Sequence, residues 1–313
     1  TVGAFKPALA QVTAVPTPDN DTTPEYTFFS TLPGLIIYSG DCSSSDNSSD
    51  ADNNTITFNA LSEGPHTNCK ISVTSSGNLT SDNLSVDNFT IDITAPLVDN
   101  FTMSDTQIKV GETATVQLVF SEAVISFSST ADITVPNGSL STMTSSDNIT
   151  WSGTFTPATN AEDASNTLSL ATSYTDLAGN NGSAKTTANY RVDTRKPTLS
   201  EGTPVSTPTD DNTPNYTFSS SETGTISYGG ACGSSTSSAV TSTNKTVTLT
   251  QPDNSTALSD GTYDNCTIAV TDNNSNKSDN LSVSSFTIGA NKPALAQVTA
   301  VPTPDSDTTP DYT

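Results

Sequence analysis

The sequence has few basic residues, few aromatic residues and no long apolar run. Lys and Arg together number 10 against 33 Asp and Glu, which gives a formal charge of −23. This excess of acid repels phosphate groups, so the composition argues against nucleic acid and anionic membranes as partners. The longest apolar run, residues 35–38, is far shorter than the roughly 20 residues that cross a bilayer. No secretory leader begins the sequence, and we expect a fragment of a longer chain.

Apolar residues make up 32% of the chain and aromatic residues 6%, which is too little for one large core but enough for several thin ones. Ser and Thr supply about a third of the sequence. β-Branched and aromatic residues alternate with polar ones at a period of two, as in half-buried strands, and no helical period is present. The pattern predicts an all-β chain with strands at residues 25–29, 55–58, 71–73, 113–120, 149–155 and 246–249.

The chain repeats itself over two distances. Residues 1–27 and 287–313 align with a shift of 286 and differ at four positions. Within that block, Cys42 corresponds to Cys232 with a shift of 190, and Cys69 corresponds to Cys266 with a shift of 197. The later copy therefore carries a seven-residue insertion, and two copies of one domain type flank a different one.

Junctions that contain proline divide the sequence into units of about 95 residues, the size of small sandwiches joined by stiff linkers. We predict three tandem β-sandwiches and the start of a fourth, arranged as an extended rod. The predicted ranges are 1–5 for the end of a preceding repeat, 6–94, 95–194 and 195–290 for the three domains, and 291–313 for the beginning of the next repeat.

Four stretches of the middle unit carry a family resemblance: KVGETATVQLVFSEAV from Lys109, ADITVPNGSL from Ala131, ITWSGTFTP from Ile149 and YTDLAGNNGS from Tyr174. The unit resembles the bacterial Ig-like repeats of giant surface proteins and adhesins. The flanking units, with TPDNDTTPEYTF, NTITF and NCKISVT in order, resemble another Ig-like repeat of such proteins. The resemblance implies tandem Ig-like β-sandwiches in an extracellular, cell-surface protein, where such repeats usually act as spacers.

Four cysteines occupy corresponding places in the two copies, which predicts one disulfide in each copy, Cys42–Cys69 and Cys232–Cys266. Such loops, 27 and 34 residues long, should each add roughly 3 to 4 kcal/mol by restricting the unfolded chain. Disulfides indicate an oxidising compartment outside the cytoplasm. The alternative is a metal site, but the sequence has no Cys-x-x-Cys spacing and only one histidine.

A catalytic triad would have to use His66, the only histidine. Tyr263 holds the corresponding position in the second copy. A side chain that exchanges with tyrosine beside a turn suggests an exposed residue at a strand end rather than a catalytic base. The sequence also has no phosphate-binding glycine loop and no zinc motif. We predict that the chain is not an enzyme.

Acidic residues recur where calcium ions could join neighbouring sandwiches, because hard cations prefer clustered oxygen ligands. One pair lies in a shared TP-x-x-D-x-TP turn, which recurs a third time at Asp307. A second pair ends the last strands before the linkers, and a third lies in loops that, in related adhesin repeats, are near calcium-bearing junctions. The alternative is that a turn aspartate accepts hydrogen bonds from its own backbone. In that order, the candidates are Asp21 and Asp211, Asp92 and Asp193, and Asp176 and Asp272.

Sequons for N-glycosylation are frequent: 17 of the 27 asparagines lie in Asn-x-Ser/Thr, against about nine expected by chance. The excess suggests covalent N-glycans, although strands rich in Asn, Ser and Thr also generate sequons freely. The candidate acceptors are Asn83, Asn88, Asn100, Asn148 and Asn280.

These features favour a structural spacer of an extracellular adhesin, stalk or surface filament, with further copies of the same repeat as its partners, covalent or assembled. One alternative is the subunit of a filament joined by strand donation. Another is a glycan- or ice-binding module, which would need an exposed aromatic platform. The single tryptophan, Trp151, has the alternating neighbours of a core strand instead.

Overall fold

A computed structural model describes residues 5–241 and 244–289. Residues 1–4 of the predicted preceding repeat, and the predicted next repeat at 291–313 with Asp307, lie outside the described residues. About 45% of the chain is strand and 1% is helix, which confirms the all-β prediction. All six predicted stretches overlap strands. No helix among the described residues has the length and apolar character that a membrane span requires.

The chain comprises two compact units. The first contains the described residues up to Ile108, together with Glu112–Ala158 and Asp163–Val192. The second contains Lys109–Gly111, Thr159–Glu162 and the described residues from Asp193 onward. The domain boundaries 6–94, 95–194 and 195–290 stay predictions. Among the described residues, no sheet combines strands from two of these ranges, which we call the first, middle and third segments.

The first segment pairs its strands in the orders β1-β2-β5, β4-β3-β7-β8 and β6-β9. Tyr26 and Phe28 alternate with more exposed residues along β2 and are fully buried, as the period-two pattern predicts. The strands are β1 (Leu9–Thr13), β2 (Glu25–Ser30), β3 (Gly34–Ser39), β4 (Ser48–Ser49), β5 (Asn53–Thr57), β6 (Gly64–His66), β7 (Lys70–Ser75), β8 (Leu84–Ser85) and β9 (Phe89–Ile91).

The middle segment has a different topology, with sheet orders β10-β12-β16-β15, β11-β21-β17, β13-β19 and β14-β18-β20. Its elements are β10 (Val98–Met103), β11 (Gln107–Lys109), β12 (Ala114–Phe120), β13 (Val124–Ile125), α1 (Ser129–Asp132), β14 (Ile133–Thr134), β15 (Gly138–Leu140), β16 (Thr150–Pro157), β17 (Glu162–Asn166), β18 (Ser169–Leu170), β19 (Thr175–Asp176), β20 (Lys185–Thr186) and β21 (Tyr190–Asp193).

The helix α1 is compatible with the absence of a helical period in the sequence. It is a single turn of four residues, too short to produce a helical period in the sequence. The backbone N–H of Ser128 donates to Oδ2 of Asp132 at 2.7 Å, and the Asp132 carboxylate is buried. This local side-chain bond, rather than an apolar face, holds the turn.

The third segment repeats the topology of the first, with orders β22-β23-β26, β25-β24-β28-β29 and β27-β30. Both copies have a cis Thr–Pro bond, at Thr17–Pro18 and Thr207–Pro208. The strands are β22 (Leu199–Glu201), β23 (Asn215–Ser220), β24 (Gly224–Gly229), β25 (Ser238–Ala239), β26 (Lys245–Thr248), β27 (Gly261–Tyr263), β28 (Thr267–Asp272), β29 (Leu281–Ser282) and β30 (Phe286–Ile288).

Each copy contains its own disulfide. Cys42 is joined to Cys69 with a Cα–Cα distance of 5.1 Å, and Cys232 is joined to Cys266 at 5.2 Å. All four cysteines are buried in the cores of their segments. The bridges therefore cross-link the strands around each core and close loops of 27 and 34 residues.

A glycine precedes each disulfide by two residues. Gly40 has φ +83 and Gly230 has φ +74, the left-handed region that favours glycine. A Cβ at these positions would lie 2.1 Å from the carbonyl oxygen of Asn68 and 2.0 Å from that of Asn265. This close backbone approach brings the two halves of each disulfide together, and only glycine permits it.

Candidate functional site

The last residue of β19 places a buried carboxylate at one end of the middle segment. Asp176 is 1% exposed, and its Oδ1 accepts hydrogen bonds from the backbone N–H of Gly179 at 2.8 Å and Asn180 at 2.9 Å. Gly179 has φ +98, which permits the tight turn. The loop that follows β19 is therefore folded around the aspartate side chain.

Asn180 links this loop to the end of the first segment. Its Nδ2 donates to Oδ2 of Asp176 at 2.9 Å and to the carbonyl oxygen of Asp92 at 2.8 Å. The carbonyl oxygen of Thr94 lies 3.3 Å from the same nitrogen. One amide group thus fixes the backbone that follows β9 against the loop of the middle segment.

Three carboxylates converge beside this contact. Asp92, Glu122 and Asp176 each offer an oxygen, and the three oxygens lie within 4.8 Å of one another. Burial, followed by the negative charges of Asp176 and Asp92, raises the pKa of the Glu122 carboxyl. Clustered carboxylate oxygens are the ligands that Ca²⁺ prefers, so the donor chemistry of this cluster fits a hard divalent cation.

The third segment contains the same loop. Oδ1 of Asp272 accepts hydrogen bonds from the backbone N–H of Asn274 at 2.8 Å and Asn276 at 2.9 Å. Nδ2 of Asn276 donates to Oδ2 of Asp272 and to the carbonyl oxygen of Asp193, both at 3.0 Å. Asn276 is 2% exposed, and its Oδ1 accepts from the N–H of Val110 at 3.0 Å. Asn276 is therefore more buried than Asn180, whereas Asp272, at 8% exposed, is slightly more exposed than Asp176.

Glu222 lies beside the second loop as Glu122 lies beside the first. Burial, then the charges of Asp272, Asp193 and Glu162, raise the pKa of the Glu222 carboxyl, while Arg195 lowers it. Its Oε1 is buried and, within the described residues, has no hydrogen-bond partner. The two loops therefore recur with the same chemistry, which we call the Asp-Asn latches: Asp176 with Asn180, and Asp272 with Asn276.

The structure separates the six predicted aspartates into two groups. Asp92 and Asp176 lie together, and Asp193 and Asp272 both contact Asn276. Asp21 and Asp211 are exposed turn residues instead. Oδ1 of Asp21 accepts from the N–H and hydroxyl of Thr23 at 2.8 and 3.0 Å, and Asp211 does the same with Thr213 at 2.9 and 3.2 Å. These two aspartates therefore act as turn residues that accept hydrogen bonds from their own turn, which was the alternative to calcium binding.

Sequence reasoning missed four residues, the asparagines of the two latches and the glutamates beside them: Asn180, Asn276, Glu122 and Glu222. Two signals were available. Each latch has the spacing Asp-x-x-x-Asn, and each glutamate follows a buried strand by two residues, after Phe120 or Ser220. Ser75 holds the place of the latch aspartate in the first segment, where its Oγ donates to the carbonyl oxygen of Leu79 at 3.3 Å.

The middle segment resembles a known protein family. Residues 92–192 match the family model of a bacterial Ig-like domain. A search of curated proteins found no match. FdeC, an adhesin of Escherichia coli, is 13% identical over 90% of this chain and 96% of its own, with a TM-score of 0.35. Two alpha-2-macroglobulins are also similar.

The Escherichia coli alpha-2-macroglobulin is 10% identical over 86% of this chain and 22% of its own, with a TM-score of 0.20. The Salmonella protein, reacted with methylamine, is 9% identical over 91% of this chain and 23% of its own, also with a TM-score of 0.20. Likeness at this level carries no functional argument. The Ig-like assignment rests on the family match and on the all-β architecture.

Trp151 of the Ig-like domain lies on β16 and is half-buried. Its ring meets the edge of Phe127 at a centroid distance of 4.8 Å, and its Nε1 is buried without a hydrogen-bond partner among the described residues. The residue packs against its own domain, so it does not form the exposed platform that a glycan- or ice-binding face at this position would need.

His66 corrects one sequence expectation. It ends β6, as expected, but its side chain is buried, with only 6% of its surface exposed. Its ring stacks on Phe89 at 5.2 Å, and its Nε2 lies 2.9 Å from the carbonyl oxygen of Ser62. Tyr263 stacks on Phe286 at 5.2 Å and donates to the carbonyl four residues earlier. Histidine and tyrosine exchange here because both combine a flat ring with a polar tip.

The predicted sequons differ in accessibility. Asn100 is half-buried, and its Nδ2 lies 3.4 Å from Oε1 of Gln117. Asn276 also lies in a sequon, but the latch buries it. The other predicted acceptors have exposed side chains: Asn83, Asn88, Asn148 and Asn280.

Proposed function

We propose that this chain is a structural spacer of an extracellular, adhesin-type surface protein, in which Ig-like modules follow one another in an extended rod. The family match of the middle segment and the two buried disulfides support this proposal, because disulfides persist in oxidising compartments. A net charge of −23 keeps neighbouring rods soluble and apart. Exposed sequons would carry N-glycans on the same surface.

The observation that carries the proposal is the recurrence of the Asp-Asn latch. A spacer transmits distance only if each junction resists bending. In both latches an asparagine amide donates to the backbone carbonyl of an aspartate that ends or follows a last strand, Asp92 or Asp193. A hydrogen bond of this kind contributes about 0.5–1.5 kcal/mol, and it ties the backbone at the end of a strand to a loop 88 or 83 residues away. The same device at two successive junctions supports a stiff row of modules.

Replacing Asn180 and Asn276 together by alanine tests this role. The double variant loses both amide contacts, and we expect a smaller maximum dimension in small-angle X-ray scattering because the junctions bend. Asn273→Ala is the matched control, since it removes an exposed asparagine from the second loop. We expect the control to scatter like the wild type. A double variant with an unchanged scattering curve would show that the latches do not set the stiffness.

We further propose that calcium binds the carboxylate cluster beside the first latch. Asp92, Glu122 and Asp176 would hold the ion, since an oxygen of each lies within 4.8 Å of the other two. In the third segment the Asp193 carboxylate accepts a hydrogen bond from Nδ2 of Asn274 instead. A bound divalent cation would neutralise carboxylates that otherwise repel one another, and so tie the loop of the first latch to the strand end before it. Burial, followed by the negative charge of the neighbouring carboxylates, raises the pKa of both glutamates, so the ionised form of each is disfavoured without a cation.

Glu122→Gln should change stability with opposite sign in the absence and presence of calcium. Because the pKa of Glu122 is raised in the folded state, the folded protein becomes less stable as the pH rises through that pKa. The ionised carboxylate is therefore unfavourable at neutral pH. In chelator we expect the variant to melt about 1–2 °C above the wild type, because Glu122 is half-buried and solvent screening keeps its charge interactions under about 1 kcal/mol. In excess calcium it should melt below the wild type.

Trp151 fluorescence reports this transition, because the only tryptophan lies in the same segment as Glu122. Asp99→Asn serves as the control: it removes an exposed carboxylate of that segment that is not part of the cluster. We expect it to leave the calcium-dependent rise in melting temperature intact. If calcium stabilises Glu122→Gln as much as it stabilises the wild type, the cluster is not a calcium site.

A further inference from the structure

The first and third segments differ in length mainly at one loop, which is longer in the third segment. The backbone N–H groups of Phe58 and Leu249 donate to the carbonyl oxygens of equivalent prolines, which are 190 residues apart in sequence. Those of Leu61 and Leu258 likewise donate to carbonyl oxygens 190 residues apart. Two residues separate these anchor points in the first copy, and eight, residues 250–257, separate them in the third segment. Insertions in repeated domains commonly build a binding face.

The inserted loop is held by its own hydrogen bonds. Oδ1 of Asp253 accepts from the N–H of Ser255 at 2.9 Å and of Thr256 at 2.8 Å. The side chain and backbone of Thr256, then the backbone of Ser255, lower the pKa of Asp253 to about 2. The N–H of Gln251 donates to Thr256 O at 2.7 Å, and its Nε2 donates to Ala257 O at 2.9 Å. The loop therefore has a defined shape.

The loop also packs closely against the chain that follows Cys232. The backbone groups of Gly233 and Thr250 exchange two hydrogen bonds, at 2.8 and 2.9 Å. Oδ1 of Asn254 accepts from the N–H of Ser234 at 3.1 Å. A Cβ at Gly233 would lie 2.5 Å from Oδ1 of Asn254 and from the carbonyl oxygen of Gln251. Glycine is required for this approach, so the loop forms a fixed wall.

This wall forms one side of an open cavity of about 490 Å³ beside β24. The cavity is lined by Pro252 and Asn254 of the insertion, by residues 226–230 and by residues 234–237, with Cys232. Its lining side chains include several hydroxyls and one aromatic ring, Tyr228, whose hydroxyl donates to Thr236 O at 2.7 Å. Among the residues described, none that lines this cavity is charged.

The lining indicates the class of ligand. Hydroxyl, amide and backbone groups bind sugar hydroxyls, and an aromatic ring can face the apolar side of a sugar ring. An uncharged lining gives an anionic ligand no partner, and the net charge of −23 repels it. We propose that this cavity binds a neutral saccharide unit. The first copy, which lacks the insertion, provides the template for a variant without the site.

Saturation-transfer NMR on the whole chain tests the proposal, with glucose, galactose, mannose and N-acetylglucosamine as probes and sialic acid as the anionic comparison. We expect at least one neutral sugar to bind and sialic acid not to bind. In one variant, residues 250–257 are replaced by Asn-Ala, the two residues of the first copy. In another, Ser235→Trp fills the cavity from an exposed position.

Both variants should weaken the binding of that sugar at least about tenfold, while intact mass shows that Cys232 and Cys266 remain joined. The Ser235→Trp variant keeps the test valid if the loop exchange disturbs folding. Binding that survives both changes would place the sugar elsewhere and overturn the proposal. Failure of all four neutral sugars, or equal binding of sialic acid, would also overturn it.

Discussion

Replacing Cys42 and Cys69 together by alanine will lower the free energy of unfolding of the first segment by about 3–4 kcal/mol. The disulfide closes a loop of 27 residues, and restriction of the unfolded chain by a loop of that length is worth about this much. Both cysteines are buried in a thin core, so few other contacts can compensate for the loss of the disulfide. We expect hydrogen exchange of the slowest amides in β2, β3 and β7 to accelerate by about two to three orders of magnitude.

The third segment supplies the internal reference for this measurement. Its amides should exchange at the wild-type rate in the Cys42 and Cys69 variant. The corresponding Cys232 and Cys266 variant should show the reverse, with an effect only about 0.2 kcal/mol larger because the loop is 34 residues long. Acceleration below about tenfold in either variant would show that the disulfides add little to the stability of these cores.

Phe58→Ala should destabilise the first segment by about 3–5 kcal/mol, the usual effect of deleting a buried aromatic ring. Phe58 is 1% exposed and stacks between Tyr26 at 5.9 Å and Phe89 at 6.3 Å. The ring therefore joins aromatic residues of β2 and β9. Urea denaturation, monitored by hydrogen exchange of amides in this segment, measures the change in its free energy of unfolding.

The chain contains the control for this substitution. Leu249 replaces Phe58 at the equivalent position of the third segment and is fully buried there. We expect Phe58→Leu to cost less than about 1.5 kcal/mol, because hydrophobic exchanges that nearly conserve volume are tolerated. Equal effects of leucine and alanine would mean that the aromatic stack, rather than the filled volume, stabilises the core.

The strands and disulfides could be predicted because their signals are local or duplicated. Residues 25–29 alternate along one strand, and the strand β2 covers them. Cys69 and Cys266 correspond in two copies, so the repeat itself indicated their partners. The prediction for His66 failed because exchange with tyrosine suggested exposure, whereas both rings pack on a phenylalanine.

The carboxylate cluster beside the first latch could be predicted only in part. Asp92 and Asp176 were candidates, but Glu122 lies between them in sequence and shares no motif with either. The three carboxylates meet only after β12 and β19 have paired with their neighbours. Sequence spacing does not encode such a meeting. Asn180 was missed because asparagine in a loop commonly serves only its own turn.

The radius of gyration of the whole chain in solution, measured by small-angle X-ray scattering with calcium present, tests the spacer proposal most directly. A single globule of 313 residues would have a radius of gyration of about 20 Å. Three modules in a row, each with a radius of gyration of about 13 Å, would give about 30 Å. The proposal predicts the larger value. A radius close to that of the globule would contradict it.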